Sequence, residues 1–179
     1  MLQQLLGYPP ISFPRDVKKW SRICEKAASV LSENTTCSAS EAAERIRDIA
    51  GGRILVIGLS DVDLAKDHLV NYVGSSRPDV HLWEFEDYIH TPRIGGFRAL
   101  SVGASLDQMQ GFPFELQIMT PLQHTWDKLQ HPVYEKARSK GIVVPPDVEQ
   151  WFEELSSKLY ALDQEISTKQ EDYRTRGVL

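Results

Sequence analysis

Two carboxylates and a cluster of cations stand where phosphate or metal chemistry could be carried out. Asp48 falls where a helical pattern turns into an apolar run, and Glu115 lies on the polar side of an alternating segment, with Gln117 two positions on. If the two strands concerned are neighbours, both carboxylates can converge on one hard cation such as Mg2+, whose oxygen preference suits carboxylates together with substrate phosphates. Lys18, Lys19, Arg22 and Lys26 ride on one side of a helical segment, the arrangement of a phosphate cradle and equally of a solvated surface. Arg53 heads a buried run, where a guanidinium needs a partner, a cleft or a ligand. Spacing alone leaves each of these residues open between a site and a surface role. The Walker phosphate loop, the dinucleotide glycine fingerprint, H-E-x-x-H and G-x-S-x-G are all absent from the sequence.

The elements that must position these groups follow from periodicity. Val17, Trp20, Ile23, Ala27, Val30 and Leu31 recur at helical spacing after Pro14, and Ser38-Ala-Ser-Glu41 has the form of a capping box opening a second helix with Ala42, Ile46 and Ile49. Arg53–Ile57 reads as a strand buried on both faces and central in a sheet. Ser60 caps the next helix, which carries Val62, Ala65, Leu69 and Val73 and ends at Gly74–Pro78. Strands are expected over Val80–Phe85 and Phe97–Val102, with a loop over Asp87–Gly96 and a turn near Gly111. Phe114, Leu116 and Ile118 alternate with Glu115, Gln117 and Met119, a half-buried strand with one polar face. Leu122, Trp126, Leu129 and Val133 predict a helix that Pro132 should break or kink. Pro145-Pro146-Asp147 opens the clearest helix, running to Ile166, and the tail from Lys169 is polar enough to fray. The succession predicts an α/β (α+β) fold, a mixed sheet flanked by helices.

Composition bounds the possibilities. At 179 residues, 41% hydrophobic and 25% charged, the chain suits one ordinary globular domain with a helical appendage. Lys+Arg 20 against Asp+Glu 25 gives a net charge of -5, which argues against bulk duplex nucleic acid as the main partner while allowing a local basic pocket. Cys24 and Cys37 fit neither a disulfide framework nor a zinc site. No run approaches the ~20 apolar residues of a membrane span, no basic leader precedes Leu2, and a reducing cytoplasm is the expected setting.

Asp48-Ile-Ala-Gly-Gly-Arg-Ile54, then Asp87-Tyr-Ile-His-Thr-Pro-Arg-Ile-Gly-Gly-Phe-Arg98, then Glu115-Leu-Gln-Ile-Met-Thr120, then Trp126, His131 and Tyr134, resembles the synthetase domain of RelA/SpoT-type alarmone enzymes. The likeness spans Asp16 to Lys136, so the domain is placed at 16–140, after an N-terminal extension at 1–15 and before a C-terminal helix and tail at 141–179. The resemblance implies a nucleotidyltransferase-like fold that moves pyrophosphate from ATP to the 3′-hydroxyl of a guanine nucleotide, GDP or GTP. It implies Asp48 and Glu115 as Mg2+ ligands, Arg53 as the group that stacks on adenine, and Lys18 and Lys26 around the ATP phosphates. Arg93 stands where a phosphate-binding Lys is usual, Phe97 offers the π-face that a Tyr gives to guanine, and Arg98 adds a cation beside it. Glu115 is also an acceptor for the proton of the attacking hydroxyl, or Gln117 orients that hydroxyl.

The departures are as informative. Glu86 replaces the Lys that precedes Asp-Tyr-Ile, Met119 replaces an Arg, Ser101 stands where long enzymes often carry His, and the upstream Arg aligns with Asp16, with Arg15 one residue away and able to serve only if the basic helix is rotated or shifted. An anion beside a polyphosphate opposes binding. Three readings follow: a divergent small alarmone synthetase, a toxin-like pyrophosphate transferase acting on the tRNA 3′ end or adenine nucleotides and held by an antitoxin, or an inactive nucleotide-binding or interaction module. His124 and His131 are read as packing and hydrogen-bonding residues. The aromatic stripe Trp151, Phe152 and Tyr160 is read as core or an oligomer interface, and the Asp147–Ile166 helix is the expected surface for a homo-oligomer.

Overall fold

A computed structural model describes residues 2–178 apart from 16, 34–35, 37, 39–40, 43–44, 47 and 110–111. Asp16, Cys37 and the turn near Gly111 therefore lie outside the described residues. Five strands form one mixed sheet: β1 (Ile11–Pro14), β2 (Ala50–Leu55), β3 (Val80–Asp87), β4 (Leu100–Leu106) and β5 (Pro113–Met119). Among the described residues their order is β1-β2-β5-β4-β3, with the β2/β5 pair parallel and the other pairs antiparallel. The helices are α1 (Leu2–Leu6), α2 (Trp20–Glu33), α3 (Leu59–Ser76), α4 (Pro121–Ser139) and α5 (Pro146–Thr175).

Register divides the sheet into two chemically different faces. Residues opposite one another across a ladder share a face, so Ile54, Ile118 and Leu100 form one apolar row and Leu116 and Val102 another. These rows meet Val62 and Ala65 of α3, together with Leu6, Val56 and Ile89, in the main core. The reverse face carries Gly51, Glu115, Gly103 and Glu84 in one row and Arg53, Gln117, Ser101 and Glu86 in the next. The alternation expected for β5 is thus present, and β5 is the central strand of the five.

Several elements differ from the sequence expectation for identifiable reasons. Residues 1–15 contribute α1 and β1, and β1 pairs antiparallel with β2. α2 begins at Trp20 and buries no residue fully; Val17 is 68% and Trp20 76% exposed, so the inner side of the helix rests on Ile23, Ala27 and Val30. The capping box before Ala42 is formed, Ser38 N–H donating to Glu41 Oε2 at 2.7 Å and Glu41 N–H to Ser38 Oγ at 3.3 Å. β2 takes in Ala50, Gly51 and Gly52 and ends at Leu55, and β4 starts at Leu100, leaving Phe97–Ala99 in the preceding loop. The N-cap of α3 is Gly58, whose N–H donates to the carboxylate of Asp61 at 3.1 Å.

α4 continues through Pro132, because the proline and Lys128, whose carbonyl would have received its missing N–H, are both exposed and open to water. The buried face of that helix is Gln123, Trp126, Asp127 and Ala137, rotated away from Leu129 and Val133. α5 does not fray after Ile166. It extends to Thr175, and Gln170 and Arg174 donate to the fully buried carboxylate of Asp61 at 2.7 and 2.5 Å. Its outer side leaves Trp151, Leu162 and Tyr173 exposed. Among the described residues no helix is long and apolar enough to cross a membrane.

Candidate active site

The polar face of the sheet is the floor of a cleft of about 410 Å3. Asp48 and Glu115 both line it; α2 contributes Lys26 and Ser29, the segment before β2 contributes Arg45, and the far wall is β3 with the loop that follows. The neighbours of Glu115 in its row, Gly51 and Gly103, add no side chain of their own, and the indole of Trp83 lies over Gly103. Gly51 also lets β2 approach β5: a Cβ there would collide with the carbonyl oxygen of Glu115. We expect Gly51→Ala to destabilise the protein by about 1–3 kcal/mol, read by urea unfolding, because the clash is with backbone that cannot rotate away. A loss under ~0.5 kcal/mol would show that the two strands have room to spare.

Each carboxylate is held in its ionised form. Asp48 Oδ2 accepts from Lys26 Nζ at 2.7 Å and lies 3.0 Å from Lys18 Nζ, while its Oδ1 is buried without a hydrogen-bond partner among the described residues. Burial pushes its carboxyl up, but the two lysines outweigh burial and hold it below the ordinary carboxylate range. Glu115 is more enclosed, its side chain 12% exposed. Its Oε1 accepts from Ser101 Oγ at 2.6 Å, and its Oε2 from Gln117 Nε2 at 3.0 Å and from Arg15. Burial again acts upward, and Ser101, Arg15 and Gln117 together carry the group below its ordinary value.

Gln117 is committed at both ends, since its Oε1 accepts from Arg53 Nε at 3.0 Å. The rest of the Arg53 guanidinium meets His124 Nδ1 at 3.0 Å and Asp127 Oδ2 at 2.7 Å, with 8% of the side chain exposed. Burial, then the charge of Arg53, lowers the pKa of His124, so the neutral ring accepts the guanidinium's hydrogen bond. Arg53 therefore ties β2, β5 and α4 together beneath the cleft. His124 packs on Phe13, with ring centroids 5.3 Å apart, while His131 is exposed and 3.7 Å from Glu135.

The remaining expected residues divide. Arg93 lines the cleft; its Nη2 donates to Glu86 Oε2 at 3.1 Å and to the Tyr88 hydroxyl at 2.8 Å, and its guanidinium lies 4.1 Å from the Tyr88 ring centroid. The anion at Glu86 is thereby paired with a cation from the next loop. Phe97 packs with Leu55, Ala99 and Met119, tilted against Tyr88 and Trp126. Arg98 points toward α5 instead: it is buried, donates to Ser156 Oγ at 3.2 Å and to the Ile89 carbonyl, and lies over the Tyr160 ring. Lys18 joins the site through Asp48, and Lys19 is exposed.

Two further residues join the site, Arg15, expected to serve only with a shifted helix, and Arg45, which the sequence reading did not single out. Arg15 reaches Glu115 directly from the end of β1, with no shift of the basic helix. Arg45 lines the cleft three residues before Asp48, a spacing that could have suggested a shared side.

A cleft with two ionised carboxylates ringed by lysine and arginine can neutralise and orient a polyphosphate. The order of motifs that builds it is matched along residues 15–140 by the family model for the region found in RelA / SpoT proteins. The chain belongs to the RelA/SpoT family. Within it, the GTP pyrophosphokinase YwaC of Bacillus subtilis (strain 168) is 28% identical over 166 residues, covering 89% of this chain and 74% of that protein. The fold is that of small alarmone synthetase 1 from Bacillus subtilis bound to its product pppGpp, with a TM-score of 0.72 at 24% identity over 92% of this chain and 79% of that one. Small alarmone synthetase 2 from Bacillus subtilis superposes with a TM-score of 0.70 at 25% identity, covering 95% of this chain and 86% of that one. This RelA/SpoT protein is accordingly a small alarmone synthetase-like member of a pyrophosphokinase family, a pyrophosphotransferase by class.

Proposed function

We propose that the protein transfers the β,γ-pyrophosphate of ATP to the 3′-hydroxyl of GDP or GTP, with Mg2+ held by Asp48 and Glu115. The observation that carries this reading is that those two ionised carboxylates line one cleft, with Asp48 Oδ1 buried and, among the described residues, unpartnered beside Lys18 and Lys26. An orphaned carboxylate oxygen and an all-oxygen acidic pair fit a hard divalent cation. When bound, the ion supplies charge neutralisation at the phosphates.

The protein's own groups then divide the work. Lys26 and Arg45 line the same side of the cleft as Asp48 and take up charge that spreads over the transferred phosphoryl oxygens. Glu115 accepts the proton of the attacking 3′-hydroxyl. Because Gln117 spends both ends of its amide on Glu115 and Arg53, it orients the base and leaves the acceptor hydroxyl to Glu115 itself. Arg53 acts through Gln117, and Arg93 offers a cation from the opposite wall.

The direct test is incubation of the purified protein and Mg2+ with ATP labelled at the β-phosphate, in parallel with GDP, GTP, ADP and tRNA. The expected result is label on GDP or GTP, with AMP released in equal amount. Label on ADP or tRNA alone would replace the acceptor, and no transfer to any of the four would remove the proposed reaction.

A further inference from the structure

The loop that carries Arg93 into the cleft is held by α5, which lies outside the 15–140 region matched by the family. This loop is a short hairpin, closed by Arg93 N–H to the Phe97 carbonyl at 3.1 Å and Gly96 N–H to the Arg93 carbonyl at 2.9 Å. Its tip residue Ile94 is fully exposed, so the tip has no apolar anchor of its own. Its fixed points are polar and come from one turn of α5. Gly95 N–H donates to Glu153 Oε1 at 3.0 Å, and Ser156 Oγ donates to the Gly96 carbonyl at 2.5 Å. The same Ser156 oxygen accepts from Arg98 Nε at 3.2 Å, which ties down the loop's exit.

The approach is close enough to need glycine. Gly96 has φ 92°, and a Cβ there would stand 2.8 Å from Ser156 Cβ and 3.2 Å from Glu153 Cα. Ser156 is 1% exposed and recurs with Asp163 and Gln170 at seven-residue spacing along the buried side of α5. That side presents hydrogen-bonding groups to the loop, to Thr120 and Gln123 of the α4 start, and to Asp61. Directional bonds of this kind fix position more than they add adhesion.

We infer that Ser156 and Glu153 are positioning residues for the cleft: the C-terminal helix sets the Arg93–Phe97 loop, and through Arg93 the affinity of the cleft for nucleotide phosphates. The inference rests on the proposed function for what the loop binds, though not for whether the helix holds it.

The test compares wild type with Ser156→Ala, Glu153→Ala and Glu153→Gln. Hydrogen exchange is followed across residues 93–97, and binding of GDP and of ATP is measured separately by calorimetry. Faster exchange at Gly95 and Gly96 is expected in both alanine variants, with the Kd of at least one of the two nucleotides raised about tenfold, the equivalent of one hydrogen bond lost. Glu153→Gln keeps the acceptor oxygen and should behave as wild type. Glu153 is exposed, so its variants remain informative if Ser156→Ala fails to fold. Unchanged loop exchange in the alanine variants overturns the inference, as does faster exchange with both nucleotide Kd values unaltered. A wild-type protein that does not bind GDP counts against the proposed acceptor, and the exchange measurement still decides whether the helix holds the loop.

Discussion

Glu115→Gln lowers pyrophosphate transfer from ATP by roughly three orders of magnitude while the fold is retained, the range expected when a charged group at a reacting centre is removed. The substitution keeps shape and removes both charge and basicity. The new amide can still accept from Ser101 through its oxygen, but its NH2 faces Gln117 Nε2 and Arg15, which are donors themselves. The inner end of the network therefore loses its acceptor where the substrate hydroxyl would deliver a proton. Arg15 is the group left without a counterion, and at 24% side-chain exposure it can turn toward water, which is why folding survives. A label-transfer assay at saturating ATP and acceptor gives the rate, and circular dichroism gives the fold. A variant within tenfold of wild type would show that Glu115 neither carries the proton nor holds the cation.

The pH dependence of the same group follows from its environment. Glu115 and Asp48 both sit below the ordinary carboxylate range, so each is ionised from that range upward and neither titrates near neutral pH. Protonation of these groups on acidification enters only as pH falls through their lowered values.

What could be read from the chain depended on how local each signal was. β5 was legible because one buried face forces strict alternation, and that alternation separates Glu115 and Gln117 from Leu116 and Ile118. Asp48 was legible through the order of motifs, although its lysine partners, Lys26 of α2 and Lys18 just before that helix, lie 22 and 30 residues upstream, beyond any local pattern. Arg15 was legible only as a near miss beside the aligned position, because it leaves a four-residue edge strand ending in proline, whose pairing with β2 has no counterpart in its own sequence. Arg53 and Arg98 look alike in sequence, as cations beside glycine-rich turns. Only the fold shows the first beneath the cleft, meeting Gln117, His124 and Asp127, and the second turned to Ser156 and Tyr160. The polar end of α5 read as a fraying tail because its partner, Asp61, lies more than 100 residues earlier.

That partner sets the largest effect on stability. Asp61→Asn should cost about 3 kcal/mol of unfolding free energy at pH 7, the scale on which one member of a buried ion pair is lost. The carboxylate is fully buried and receives four groups: Tyr8 hydroxyl at 2.7 Å, Gly58 N–H at 3.1 Å, Gln170 Nε2 at 2.7 Å and Arg174 Nη2 at 2.5 Å. It joins the segment after α1, the start of α3 and the end of α5, so its loss releases both ends of the chain together. Burial pushes its carboxyl up, but Arg174, Tyr8, Gln170 and Gly58 outweigh burial and leave it below the ordinary value. A carboxyl whose folded pKa is depressed contributes fully above its unfolded value, near 3.9, and loses that contribution as pH falls through the folded one. The deficit of Asp61→Asn relative to wild type is therefore full at pH 7 and shrinks only below about pH 4. Arg174→Ala should cost more than a surface substitution and less than Asp61→Asn, because Tyr8, Gln170 and Gly58 still solvate the charge in its absence. Urea unfolding of the three proteins at pH 7 and pH 3.5 measures both statements, and a deficit that does not change between the two would mean that the charge of Asp61 contributes nothing to holding the two ends of the chain.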